Sequence, residues 1–305
     1  MAETSENKFE IIGKSAKDAQ AIVRPSLTYW QDAWRRLKSN RFAFIALIIF
    51  SIITIMAIFA PILSSHSFRE GDLFLMNQTP NAEFWFGTDE LGRDLFVRCW
   101  MGTRYSLFIG FVVAILNFTI GVIYGGISGY VGGNVDNIMM RIVDILFSIP
   151  YLLWVIMLMT VMGRGLHTII MAMTIAGWGQ MARLVRGQIL QIKEMEFVMA
   201  ARTLGADATR IISKHLIPNT MGVVIINVTF AIPQAIFTEA FLSFIGLGIP
   251  VPHASLGTLS RDGTRMLLIH PYQLVFPSVI ISLLMLSLQI FGDGLRDALD
   301  PRLRQ

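Results

Sequence analysis

Residues 42–63 run for 22 positions without a charged side chain, and a helix of that length crosses a hydrocarbon core of about 30 Å. Backbone in lipid finds no water to bond, so such a run is confined to a structure whose hydrogen bonds close within it, which for a single segment means a helix. The run starts too far from Met1, and is too long, for an ordinary cleaved signal segment. It reads as an uncleaved first span. Further apolar runs follow at 105–129, 138–162, 168–185, 220–245 and 274–291. The expectation is an all-α membrane protein with six transmembrane helices. Composition points the same way: 54% hydrophobic and 15% charged residues, with a mean hydropathy of +0.59, lie outside the range of soluble domains.

The charges orient these spans. With the N-terminus inside, 18 of the 25 Lys and Arg residues fall on the inner side, so the positive-inside rule predicts both termini in the cytoplasm. The chain then divides into a cytoplasmic tail at 1–41, the first span at 42–63, an extracytoplasmic loop at 64–103, a membrane core at 104–292 and a cytoplasmic tail at 293–305. Basic residues flanking the spans account for the net charge of +4 without nucleic acid as a partner. Cys99 is the only cysteine, which excludes an internal disulfide and a cysteine metal cluster. Five scattered histidines show no HExxH pattern and give no metal site. Gly13-Lys14-Ser15 resembles the end of a phosphate loop, but Lys8 stands where that motif needs glycine. Trp30, Trp34 and Leu37 share a helical face among Arg35, Arg36 and Lys38, consistent with a helix along the inner membrane surface or with a solvated linker. The loop at 64–103 holds the turns Gly87-Thr88-Asp89 and Gly92-Arg93-Asp94 and reads as a folded loop without a site.

One polar stretch, residues 196–219, lies between apolar runs and must project into water. Phe197, Ala200, Ala201 and Leu204 recur at i, i+3, i+4 and i+7 and are expected on one helical face. Gly205 supplies a left-handed helix end. Asp207 fits as the N-cap of a second helix carrying Ile211, Ile212 and Leu216 on one side, with Pro218 ending it. The product is a compact amphipathic hairpin.

Within the spans, Gly121, Gly125 and Gly129 repeat every four residues and let another helix approach closely. Pro150, Pro233 and Pro277 each remove a helix hydrogen bond and invite a kink. Arg141 and Asp144, one turn apart, are expected to pair. A lone charge at mid-bilayer costs roughly 3 kcal/mol or more unless it meets protein or water, which singles out Glu239 in its apolar run. It belongs either on a translocation path or its outer gate, or at a subunit contact or near headgroups. Asn117, Asn227 and Gln234 are candidates to line a path or to bond across helices.

Ala200-Ala201, then Gly205 after three residues, then His215-Leu216-Ile217-Pro218 resembles the EAA loop of binding-protein-dependent ABC importer permeases. Met199 replaces the family's usual Glu, His215 its Ile and Ile217 its Leu. Phe86-Gly87-Thr88-Asp89 with Gly92-Arg93-Asp94, the run from Phe241 to Gly248, and Gly292-Asp293-Gly294-Leu295-Arg296-Asp297 resemble the C-type permease subunit of oligopeptide and dipeptide importers. The resemblance implies a MetI-like type I ABC importer permease fold in the bacterial inner membrane. It also implies a coupling loop in which Phe197, Ala200, Ala201, Leu204, Gly205, Ala206, Asp207, Ile211, His215 and Pro218 engage a partner ATPase. The implied partners are a second permease, two ATP-binding subunits that carry ATP and Mg, an extracytoplasmic peptide-binding protein and the peptide itself. A permease for nickel chelates or another small solute is the near alternative. A secondary transporter would show repeated halves with ionisable groups at the midplane, and an intramembrane enzyme a nucleophile with its base; the sequence shows neither, so the chain itself is expected to be no enzyme.

Overall fold

The computed structural model describes residues 29–299, and apart from the long loop at 64–94 and short connections they are helical. Helix α1 (Tyr29–Ser39) is followed directly by α2 (Arg41–Leu63), whose start is capped by Asn40 accepting a bond from the Ala43 amide at 3.2 Å. Ala43, Ala46, Ile53, Ala57 and Ala60 form the buried stripe of α2, at steps of three, seven, four and three residues. Such small residues let neighbouring helices come close. In α11 (Tyr272–Leu299) Gly294 faces Ala43 so tightly that a Cβ there would stand 2.2 Å from the alanine Cβ. Of the expected amphipathic face in α1, Leu37 turns inward with Ala33 whereas Trp34 lies outward beneath Lys38; the Trp30 side chain and the Gly13-Lys14-Ser15 segment lie outside the described residues.

Helix α3 (Leu95–Val131) is 37 residues long and so spans about 55 Å at 1.5 Å per residue. It begins ten residues before the run at 105–129 and crosses the boundary placed at 103/104. The extra turns contain Arg98 and Arg104, which looked like loop residues. Both find partners inside the protein: Arg104 donates to the Ala57 and Ile58 carbonyls at 3.0 and 2.6 Å, and Arg98 donates to the Phe68 carbonyl at 3.2 Å with its Nε 3.3 Å from Asp89, close enough to pair charges but without a hydrogen bond. Asp94 caps the start by accepting from the Phe96 amide at 2.8 Å.

The glycine face of α3 receives α6 (Leu166–Ile192). A Cβ on Gly121 would stand 2.5 Å from Met181 Cβ, and one on Gly125 would stand 2.3 Å from the Ala182 carbonyl oxygen. Between them in sequence, α4 (Gly133–Ser148) and α5 (Tyr151–Met162) meet at 83°. Pro150 causes this break, holding Ile149 extended as residues before proline prefer. Pro233 and Pro277 instead lie inside helices that continue past them, α9 (Ile217–Leu242) and α11.

By length and apolarity, four of the described helices can cross a membrane, Arg41–Leu63, Leu95–Val131, Ala208–Leu247 and Tyr272–Leu299, or five if the bent pair is one span. The expected span at 168–185 falls within α6, which is long enough but interrupts its apolar face with Gln180, Arg183 and Arg186. α11 also continues to Leu299, so residues 293–299 are helix where a tail was expected.

Candidate functional site

The polar stretch folds at the end of the bundle where α3 finishes and α2 starts. α7 (Glu196–Thr203) carries Glu196 in its first turn and Arg202 in its last, matching the helix dipole. Gly205 has φ +81°. The Ala206 amide bonds the Ala201 carbonyl at 3.0 Å and the Gly205 amide the Arg202 carbonyl at 2.9 Å, the paired closure of a glycine-terminated helix. Asp207 then caps α8 (Ala208–Ile211), accepting from the Arg210 amide at 3.2 Å.

Pro218 does not end the second arm. A π turn at Ile212–Leu216 joins α8 to α9, and Pro218 occupies the first turn of α9. A proline ring clashes with the carbonyl four residues back in a regular α-helix, and the wider π turn moves that carbonyl aside. The Asn219 side chain donates to the His215 carbonyl at 2.6 Å. The second arm is therefore continuous with a helical stretch, Ala208–Leu247, that runs the depth of the bundle and kinks only near its far end, at Gly246 with φ +95°.

The faces also differ from a simple reading of the spacing. Val198, Ala201, Ile211 and Leu216 are buried, and Val198, Ile211 and Leu216 pack with Ile189 and Ile192 of α6. Phe197 is 41% and Leu204 87% exposed, with Ala200 and Met199 also on the outside. Ala201 thus parts from Phe197, Ala200 and Leu204: Val198 draws its side of the helix inward. Ala206 and His215 are half-buried, and Asp207 and Pro218 are exposed. The Arg202 guanidinium lies 5.2 Å from the centre of the Tyr130 ring, tying α7 to the end of α3.

Deeper in the bundle, α3, α5, α6 and α9 enclose a cavity of about 740 Å³ lined by Asn117, Tyr151, Gln180, Arg183, Asn227 and Gln234 among others. Asn117 Oδ1 and the Tyr151 hydroxyl are buried with no protein partner, two unpaired polar atoms on residues that line this cavity. Arg183 is held 2.7 Å from Asp144 and 4.6 Å above the Phe147 ring. The expected Arg141–Asp144 pair gives way to this one because α6 brings a guanidinium within reach of the carboxylate.

Glu239 is not with Gln234 and Asn227. It is 0% exposed and lies off the cavity wall. Ser106 Oγ donates to its Oε2 at 2.6 Å and Ser243 Oγ to its Oε1 at 2.7 Å, while the Ser255 hydroxyl, which caps α10 (Leu256–Arg265), is a third neighbour. Both oxygens are used in joining α3, the end of α9 and the start of α10, so the structure gives this carboxylate a binding task inside the chain. A second cluster had no sequence signal: Asp136 accepts from Arg186 Nε and Nη2, each at 2.5 Å, and from the Ser128 hydroxyl at 2.5 Å. Its members lie 8 and 50 positions apart, and no local motif links them.

Comparison with known proteins gives these features a family. Residues 121–305 match the family described as binding-protein-dependent transport system inner membrane component, and residues 28–80 match the N-terminal TM domain of oligopeptide transport permease C. A dipeptide transport system permease protein of Bacillus subtilis is 53% identical over 97% of this chain and 93% of its own length. An oligopeptide transport system permease protein of the same organism is 50% identical over the full length of both, and one from Escherichia coli K12 is 40% identical over 99% and 97%. Among solved structures, the MetNI methionine ABC transporter in an inward facing conformation superposes with a TM-score of 0.54 at 22% identity, covering 68% of this chain and 96% of that one. That match shows the fold, and the sequence matches over most of the chain show the lineage: this chain belongs to the binding-protein-dependent transport system inner membrane components, the permease subunits of ABC importers.

Proposed function

We propose that this chain is one of two permeases of an ATP-driven importer of oligopeptides or dipeptides, with six spans and both termini in the cytoplasm. A second permease, two ATPases carrying ATP and Mg, and an extracytoplasmic peptide-binding protein complete the assembly. The observation that carries this reading is the helical stretch Ala208–Leu247, which begins in the hairpin and contributes Asn227 and Gln234 to the cavity wall. A displacement of the hairpin moves that wall directly. Phe197, Ala200 and Leu204 form the outward face, and a helix that lays such a face into a groove is a common mode of docking. Val198, Ile211 and Leu216 root the hairpin in the permease, so force applied at the docked face reaches α6 and α9. Differential contact of that face with open and closed ATPases would bias the inward and outward arrangements. The neutral amides Asn117, Gln180, Asn227 and Gln234 offer donors and acceptors to peptide bonds whatever their side chains.

The test is a bulky charge on the outward face. Ala200→Arg, in the complex expressed whole, is expected to lose co-purifying ATPase and peptide uptake while the permease pair stays in the membrane at normal abundance. Full ATPase attachment and uptake in that variant would sink the proposal. Ala201→Arg is the wrong probe, because Ala201 is buried against the permease itself.

A further inference from the structure

At the opposite end of the bundle a second cavity, of about 820 Å³, lies between the last turns of α2 and the loop that follows it. Ile55, Phe59 and Leu63 form one wall and Trp85 with Phe96 the other, their rings meeting edge to face at 4.9 Å. His66, Glu83 and Asp94 make a polar margin: His66 Nδ1 is 3.2 Å from Asp94, and Nε2 is 3.9 Å from Glu83. Asp94 is 5% and Glu83 72% exposed at the side chain, and among the described residues no Lys or Arg lines the cavity. The apolar walls open sideways, since Ile55, Phe59, Leu63 and Trp85 are all half-exposed or more.

We propose that this cavity binds one phospholipid with an ammonium headgroup, its acyl chain between α2 and the Trp85–Phe96 pair and its ammonium at Glu83 beside the buried Asp94. Only the choice of the extracytoplasmic leaflet rests on the orientation proposed above. Four considerations carry the proposal. The volume suits a chain-like apolar ligand. The opening lies on the flank of a charge-free span, where the neighbouring medium is hydrocarbon. Trp85 stands where a span ends and a polar loop begins, the depth at which tryptophan marks the headgroup boundary. The margin carries two carboxylates and at most one imidazolium, so it attracts an ammonium and repels an anionic headgroup. A helix of another protein would cover the apolar walls but would give the exposed Glu83 no counter-charge nearer than His66 at 3.9 Å, while Asp94 already has His66 at 3.2 Å.

The experiment uses the purified whole complex reconstituted in two sets of vesicles. In one the phosphatidylethanolamine carries brominated acyl chains; in the other the phosphatidylglycerol does, at the same fraction. Trp85 emission is taken as the difference between the wild-type complex and Trp85→Phe. Brominated phosphatidylethanolamine is expected to quench it more efficiently than brominated phosphatidylglycerol, by about two- to fivefold in apparent occupancy, the size set by partly exposed carboxylate–ammonium pairs. Glu83→Gln should shrink that preference. Ala82→Phe, an exposed lining position whose enlargement plugs the cavity, should reduce quenching to the level of bulk lipid. Equal quenching by the two lipids, or a preference untouched by both variants, overturns the proposal. Emission quenched by neither lipid also overturns it, because the cavity is then covered by protein.

Discussion

Replacing Glu239 separates a carboxylate that moves substrate from one that binds helices together, and the geometry predicts three different outcomes. In Glu239→Leu the Ser106 and Ser243 hydroxyls lose the acceptor they hold at 2.6 and 2.7 Å. A buried hydroxyl left unpaired costs about 1–3 kcal/mol, so the two together set a ceiling of about 6 kcal/mol. Both serines sit in helical turns, where a hydroxyl can swing back to the carbonyl four residues earlier, Gly102 for one and Glu239 itself for the other. That retreat brings the expected loss down to about 2 kcal/mol, visible as a lower unfolding midpoint of the purified complex and reduced abundance. Glu239→Gln keeps one acceptor and turns the other contact round, its amide donating to a serine oxygen. It should cost less than about 1 kcal/mol and leave uptake near normal. Removing these two hydroxyls together with the carboxylate, as Glu239→Leu with Ser106→Ala and Ser243→Ala, should recover part of the loss, since apolar groups of similar shape can replace paired polar ones, while the Ser255 hydroxyl still lacks its partner. The assays are peptide uptake, peptide-stimulated ATPase activity and thermal unfolding on the same preparations. Uptake that collapses in a stable, fully assembled Glu239→Gln complex would refute the reasoning and put the carboxylate back on the path.

Three further outcomes are expected. Gly125→Leu should reduce membrane abundance sharply, because its Cβ would stand 2.3 Å from the Ala182 carbonyl oxygen and 3.0 Å from the Arg186 amide nitrogen; Gly187→Ala, where a Cβ meets nothing within 4 Å, should match wild type, both read by quantitative blotting. At Gly205, where an added Cβ also meets nothing but φ is +81°, Asn should preserve ATPase co-purification while Val weakens it, through a backbone penalty of about 1–2 kcal/mol; equal behaviour of the two would show that the left-handed turn does not matter. Cys99 is buried and should resist an impermeant thiol reagent in intact cells freed of any outer barrier, whereas a cysteine at Glu83 should label there and one at Ser213 only after permeabilisation; the reverse pattern would invert the proposed orientation.

What could be read from the sequence follows the range of the interaction that carries it. The Gly205 turn and the Asp207 cap are closed by bonds to residues at most five positions away, and both were legible residue by residue. The glycine face of α3 was legible as well, because its spacing declares a close approach even when the approaching helix is unknown. Three expectations failed where a partner distant in sequence decides the outcome. Arg98 and Arg104 looked like the end of a loop, yet Asp89 and the carbonyls of Phe68, Ala57 and Ile58 allow the helix to continue through them. Asp144 found Arg183, 39 positions on, in place of Arg141 one turn back. Ala201 shares a heptad-like spacing with Phe197 and Leu204 but turned inward, because Ile189 and Ile192 wait beneath Val198. A docking face is therefore what remains of an amphipathic helix after its own protein has taken a share. Periodicity gives the sum of the two, and the division becomes visible only when the helix beneath is in place. The same reasoning applies to Glu239: an isolated carboxylate in an apolar run marks a site of unusual chemistry, but three serines, at 106, 243 and 255, decide whether that chemistry faces the cavity or the core.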